Sequence, residues 1–325
     1  MALSDNVARY LVLVLTVCWL GQARDVAAQK PRGSIKDLGR IERSTYKVDL
    51  AKKLLPRDLD HPLTPAIQIA YDSLRFMDLN IDDYTCRLIA RARINGQLKN
   101  YEFMSLKVRH RKVIADKTEA PFAVYIRYEG PSSVVGREVL YVEGKNNNEV
   151  LARNGGDGNL QDVTLSMDPA SPRAMRSHRY PLTEIGVKTL IERLLEIAHE
   201  SLELDRDRRE CEVKIGEDAK IDGRDCRVIQ VRFPIRRPGQ RFQLARVFVD
   251  KQIPVPIRYE SYAWPQKSGD PPLLMEEYTY LDLKTNVGLT DSEFDRNKPD
   301  YKFSRRETNA EDLKRNDVEG SSAGR

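Results

Sequence analysis

Alternation of apolar and polar residues dominates the middle of the chain. Tyr84, Cys86, Leu88, Ala90, Ala92 and Ile94 fall on one side of a period-two pattern, and Thr85, Arg87, Arg91 and Arg93 on the other, with Ile89 the exception. Successive strand residues point to opposite faces, so this segment is a half-buried strand. Asn95-Gly96 ends it with a dipeptide that tolerates the positive φ angles of a two-residue hairpin turn. The pattern recurs down the chain. Met104, Leu106 and Val108 share a face within 97–111. Phe122, Val124, Ile126 and Tyr128 share one within 121–128, with Tyr125 and Arg127 opposite. Further strands are predicted at 137–143, 150–151, 210–216, 225–233, 241–249, 256–264 and 273–283. Turns fall at Gly130-Pro131, Asn146–Asn148 and Asp222-Gly223, and a flexible loop at Gly155–Gly158.

Two segments change period. In 64–78, Ile67, Ala70, Tyr71, Leu74 and Met77 recur at helical spacing, behind Thr64 as N-cap and Pro65 in the first helical position. In 183–201, Val187, Leu190, Ile191, Leu194, Ile197 and Ala198 make a broad apolar face, with Thr183 as cap and Leu182 stapled to Val187. About ten strands and two helices without β-α-β alternation exclude a parallel doubly wound sheet. The fold class predicted is α+β: a large curved antiparallel sheet, a half-barrel with one dry and one wet face, with helices covering the concave side. A closed barrel would leave the two helical faces little to bury, so an open sheet is expected. This domain is placed at 61–303. Residues 29–60, polar and basic without a period, read as a linker or loosely docked arm, and 304–325, charged and nearly free of large apolar residues, as a disordered tail.

The first 28 residues read as a secretory signal: Arg9, an apolar run from Tyr10 to Leu20, then Val26-Ala27-Ala28 before a cleavage point. The run is too short to cross a bilayer, and no later run is long enough, so no transmembrane segment is expected after cleavage. The location implied is periplasmic or secreted. Of the whole chain's formal charge of +5, the signal carries none, since Arg9 and Arg24 balance Asp5 and Asp25. Spread over the mature chain this excess is mild; it favours anionic surfaces such as lipid headgroups slightly, and no nucleic-acid partner is expected. Three cysteines remain: Cys86 on the dry side of its strand, and Cys211 and Cys226, which in an oxidising compartment are either a disulfide or two buried thiols.

Catalytic patterns are missing. His61, His110, His178 and His199 show no metal-ligand spacing; His199 is expected on the solvated side of its helix and His110 at a wet strand end. No Gly-x-Ser-x-Gly elbow or phosphate loop occurs. Asp291, Glu293 and Asp295 alternate as calcium ligands do, but Arg296 and Lys302 stand where such a loop needs glycine and glutamate. No catalytic residue, metal or cofactor is implied. Charges inside apolar strands are more informative: Arg137 and Glu138, Arg258 and Glu260, Glu276 and Glu277. They either face solvent and pair across strands, or line the rim of a ligand cavity.

Five strings carry a resemblance: Asp83–Cys86, Gly136–Gly144, Arg179–Gly186, Pro256–Pro265 and Glu276–Asp291. Together they resemble an uncharacterised family of exported bacterial proteins, a domain of unknown function. That family in turn resembles the periplasmic lipoprotein-carrier (LolA-like) superfold, which implies a curved antiparallel half-barrel whose helix-covered concavity holds acyl chains. The implied function is a non-enzymatic carrier or binder of a lipid or acylated protein. The alternative is an envelope protein-interaction or stress-sensing module with a filled core. The candidate cavity residues are Leu74, Cys86, Leu88, Met104, Leu106, Val108, Val124, Ile126 and Leu190, each of which is otherwise ordinary core.

Overall fold

Helical and alternating periods translate into two helices and a chain of strands. The computed structural model describes residues 58–156, 163–267 and 269–303, with the backbone of 308–309. The secretory signal, nearly all of the 29–60 arm and nearly all of the 304–325 tail lie outside the described residues. Along the chain run α1 (Thr64–Asn80), β1 (Asp83–Ile94), β2 (Gln97–Leu98), β3 (Glu102–Arg109), β4 (Lys112–Ile114), β5 (Lys117–Ala120), β6 (Ala123–Gly130), β7 (Glu138–Val142), β8 (Val150–Arg153) and β9 (Thr164–Met167). Then come α2 (Val187–Asp205), β10 (Glu212–Ile221), β11 (Arg224–Arg232), β12 (Leu244–Asp250), β13 (Pro256–Ala263), β14 (Leu273–Thr285) and β15 (Thr308–Asn309).

Among the described residues, thirteen strands form one sheet in the order β10-β11-β12-β13-β14-β1-β3-β6-β7-β8-β9-β15, with β2 paired to β1. Every neighbour is antiparallel except β15, which runs parallel to β9. The outermost strands do not meet, so the sheet stays open and the α+β class holds. The β4–β5 hairpin stands apart. It falls in 112–120, between two predicted strands where none was expected, and Ala115 and Asp116, both at positive φ, turn the chain there.

Both helices begin later, or are capped differently, than their sequence suggests. Leu63 is the N-cap of α1, and the Thr64 hydroxyl donates to the Asp58 carbonyl rather than capping. Residues 182–184 form a separate 3₁₀ turn, and α2 starts behind Gly186. Gly186 sits at φ +119°, and a Cβ there would lie 2.6 Å from the Tyr84 hydroxyl. That hydroxyl accepts the Val187 N–H at 2.9 Å, satisfying a donor that the helix itself leaves free.

Register fixes which residues face the helices. Tyr84, Cys86 and Leu88 stand opposite Val108, Leu106 and Met104, and these stand opposite Val124, Ile126 and Tyr128. This inner face, with Ile67 and Met77 of α1 and Leu190, Ile191 and Leu195 of α2, forms the main core. The outer face is not uniformly wet. Ala123, Tyr125, Leu140, Val142 and Leu151 are buried there under Phe294, with Leu289, Tyr301 and Phe303 packed around them. Tyr125 and Tyr301 stack at 3.9 Å. Residues 289–303 are thus a strap across β6, β7 and β8, and β7 is buried on both faces.

One open alternative is decided, for the cysteines, and two expectations, for His199 and His110, are corrected. Cys211 and Cys226 are free thiols, as is Cys86, and all three are buried. Glu212 pairs with Arg232 while Ala219 pairs with Cys226, so the two cysteines lie at opposite ends of the β10–β11 ladder. At about 3.3 Å per residue that is roughly 20 Å, far beyond the reach of a disulfide. His199 is buried between the helices, with the Tyr71 hydroxyl 2.9 Å from its Nε2. His110 packs edge-on against Tyr84 and its Nδ1 lies 2.9 Å from the Ile81 carbonyl.

Candidate functional site

The two helices do not cover the whole inner face. Where β1, β3 and β14 run past them, a hollow of about 590 Å³ remains between the sheet and the segment 169–186. Parity explains its floor. Leu88 faces Met104 and Tyr280; Ala90 faces Glu102 and Tyr278. Ile126, Val139, Ala152 and Leu165 extend the same row over β6 to β9. Leu190 of α2 closes one end. The small side chains of Ala90, Ala92 and Ala152 leave space that larger residues would fill.

The roof is a non-periodic segment with two 3₁₀ turns, Ala174–Ser177 and Leu182–Glu184, contributing Pro169, His178, Tyr180, Leu182 and Ile185 to the lining. Polar bonds hold it to the sheet. Glu276 points inward from β14 and is almost completely buried. Its carboxylate accepts from Arg179 Nε at 3.1 Å and from the Tyr180 hydroxyl at 3.2 Å. Tyr278 and Ser261, on the sheet side, donate to the same carboxylate at 3.1 and 3.4 Å. The Tyr128 hydroxyl lies 3.2 Å from His178 Nε2, whose Nδ1 is 3.0 Å from the Ala174 carbonyl. Donation from Nδ1 to that carbonyl leaves Nε2 to accept the Tyr128 proton. Glu184 pairs with Arg193 of α2.

Of the nine candidate cavity residues, the structure brings Leu88, Met104, Ile126 and Leu190 to the hollow. Cys86, Leu106, Val108 and Val124 lie one or two rows along, in the core beneath the helices, and Leu74 packs against that core from α1. Arg137 is one of the strand charges that the sequence allowed at a cavity rim; the lining residues missed are Glu102, Tyr278 and Tyr280. Each shares strand parity with a named apolar neighbour, so alternation alone placed them inward. The remaining strand charges sort differently. Glu138 is buried under the strap, accepting from the Tyr125 hydroxyl at 3.0 Å and Lys302 N–H at 2.7 Å. Arg258, Glu260, Glu277 and Arg246 form a cross-strand ladder of ion pairs on the outer face.

Inside the hollow, burial pushes the Glu102 carboxyl above the usual carboxylate range, against the opposing pull of His178 and Arg137. Burial likewise raises the Tyr128 and Tyr280 phenols, which therefore stay neutral. The hollow is apolar at its base and cationic around its edge, with Arg91, Lys99, Arg137, Arg173, Arg176, Arg179 and Arg193 all contributing.

A second cluster lies elsewhere. Ligating atoms of His61, Asp205 and Cys211 come within 4.8 Å of one another, in a buried place where sequence spacing implied no metal. The donor set is already occupied. His61 Nδ1 accepts the Leu63 N–H at 3.2 Å, so the neutral ring carries its proton on Nε2, facing Asp205 Oδ2 at 3.4 Å. Asp205 also accepts the Glu210 and Cys211 N–H groups, both at 3.0 Å. Burial and the Asp205 carboxylate hold the Cys211 thiol protonated. The arrangement ties the residues before α1 to the end of α2.

Residues 81–303 match the family described as protein of unknown function (DUF1571), a span that takes in all five strings on which the resemblance rested. The chain belongs to the DUF1571 family. The family match begins directly after α1 and includes the hollow's lining, its roof and the whole strap. No curated protein matches the DUF1571 chain. Solved structures similar to it include a DUF1329 family protein from Desulfovibrio piger, at 11% identity and TM-score 0.34 over 72% of this chain and 98% of that one. A LolA superfamily protein from Nitrosomonas europaea matches at 11% identity and TM-score 0.30, over 70% and 97%. The lipoprotein LppX of Mycobacterium tuberculosis matches at 12% identity and TM-score 0.34, over 70% and 98%. Among the described residues of the DUF1571 chain no helix is long and apolar enough to cross a membrane.

Proposed function

We propose that this protein is a non-enzymatic carrier or binder that works outside the cytoplasm and takes the apolar chain of a lipid or acylated protein into the hollow beneath the 169–186 roof. The observation that carries this reading is the hollow itself. Its volume, about 590 Å³, falls within the range of about 300–1,000 Å³ typical of small-molecule sites. Its floor is made of Leu88, Met104, Ile126, Val139 and Leu165, which offer an alkyl chain dispersion contacts and water exclusion, at roughly 0.8 kcal/mol per methylene transferred. Its cover is a segment tethered by side-chain hydrogen bonds and ion pairs, so opening it leaves the main core of helices and sheet intact.

The test is extraction of the purified protein with organic solvent, followed by mass spectrometry. Co-purifying lipid is expected, and Ala152→Phe, which fills the hollow from β8, should reduce it at least severalfold with little change in melting temperature. A protein that carries no lipid and takes none from vesicles would sink the proposal.

A further inference from the structure

We infer that the ligand of this hollow is an amphiphile whose phosphate headgroup carries a net negative charge, held at the cavity edge by Arg137 and Arg176 while its chain lies on the apolar floor. The inference rests on the carrier reading and goes further by naming the headgroup.

The argument is one of uncompensated charge. Seven cationic side chains line the hollow, against two carboxylates, Glu102 and Glu184. Arg179 is engaged by Glu276 and Arg193 by Glu184, and Arg173 also has a partner. That leaves Glu102 as the only unengaged acid of the lining, and its burial favours the neutral form. Arg91, Lys99, Arg137 and Arg176 are in no ion pair among the described residues. A cation next to low-dielectric walls attracts an anion more strongly than one in open water, because those walls screen it less.

Arg137 is the best placed of these. It follows the cis Gly130-Pro131 turn into β7, where Tyr128 N–H bonds to its carbonyl at 2.9 Å. That pairing turns its side chain to the inner face. Its guanidinium lies 5.3 Å from the centre of the Tyr128 ring, and its Nε is buried with no hydrogen-bond partner in the described structure. A buried donor left unmatched is costly, and an oxyanion oxygen would satisfy it. Arg176 approaches from the roof, from the 3₁₀ turn Ala174–Ser177. A headgroup between them would be gripped from sheet and roof together. Guanidinium suits this role because its planar fork meets two phosphate oxygens at once.

The test offers the full-length protein equimolar phosphatidylglycerol and phosphatidylcholine with identical chains in mixed vesicles, then quantifies retained lipid by mass spectrometry. Phosphatidylglycerol should be enriched roughly tenfold, the scale set by charge-assisted hydrogen bonds. The double substitution Arg137→Gln with Arg176→Gln should bring that ratio near one while total lipid stays within about twofold. Rising sodium chloride should erode the preference of the unaltered chain too, a readout that needs no variant. Equal uptake of both lipids would overturn the headgroup assignment and leave the carrier reading standing. No uptake of either would overturn both. Inorganic phosphate that protects the protein against heat, in a chain that takes up no lipid, would mark an anion site without a chain site and also overturn the inference.

Discussion

His110 is where burial changes chemistry most legibly at the residue scale. Its ring nitrogen Nε2 is sealed from solvent without a hydrogen-bond partner among the described residues, and burial pushes its pKa down to about 4. An unfolded histidine takes its proton near 6.5. Between these values the unfolded chain binds the extra proton and the folded chain does not, so this group lowers stability as pH falls from about 6.5 to about 4 and is silent above that window. His110→Asn keeps a donor for the Ile81 carbonyl but cannot titrate. The stability gap between the two proteins in denaturant melts should therefore narrow as pH drops from 7 to 4.5; a constant gap would refute the assignment. The cysteines give a second expectation. Burial raises the Cys86 thiol to about 12 and holds the Cys211 and Cys226 thiols above their ordinary value. A maleimide should leave all three unlabelled in the native protein and label all three on unfolding without reductant. Native labelling, or a pair that needs reduction first, would contradict the structure. At this scale alternation in the sequence was a good guide to direction and a poor guide to role. It turned Leu88, Met104 and Ile126 inward, and it equally turned Glu102 and Glu276 inward, where charge left Glu276 readable as either solvent-facing or cavity rim. His199 misled for the related reason that its half-buried tyrosine partner, Tyr71, lies 128 residues away.

Elements were legible where the period was long. Both helices and the strands either side of Asn95-Gly96 follow from spacing alone, whereas ends and covers do not. Gly186 shifts the start of α2 because its backbone conformation leaves no room for a Cβ beside Tyr84, a tertiary fact no local pattern carries. The strap 289–303 leaves no mark in the sequence pattern, because its aromatic residues Phe294, Tyr301 and Phe303 are too sparse to show a period. Those same residues predict its energetics. Tyr301 stacks on Tyr125, and its hydroxyl donates to the Glu293 carbonyl at 2.7 Å. Tyr301→Ala should lower stability by about 2 kcal/mol, below the usual core aromatic value because the ring is only partly buried. Lipid uptake should not change, since the strap lies on the opposite face from the hollow. A loss of uptake with unchanged stability would show that the two faces are coupled. The buried carboxylate of Asp205 works in the same way at the other end of the fold. Asp205→Ala strips two backbone N–H groups and His61 of their acceptor and should cost about 2–4 kcal/mol in chemical denaturation.

For the molecule as a whole, the open antiparallel sheet with helices on its inner side was readable because each strand repeated one period. The hollow was readable only as a possibility: five of the nine residues proposed to line it pack in or against the core beneath α1 and α2. What separates the two groups is where the helices stop along the strands, which depends on Gly186 and on the roof that precedes it. That roof hangs chiefly on one carboxylate. Lifting it removes Arg179 and Tyr180 from Glu276 together, while Tyr278 and Ser261 remain with it. On the proposed carrier reading, a guest would enter or leave through a step that transiently deprives a buried anion of its counter-ion, which would make exchange slow and concerted rather than leaky. Glu276→Gln should shorten the residence time of a bound lipid roughly tenfold while shifting its equilibrium occupancy much less, as stopped-flow transfer to acceptor vesicles would register. Cargo handover would then be set by a clock in the wall of the vessel rather than by how tightly the vessel holds.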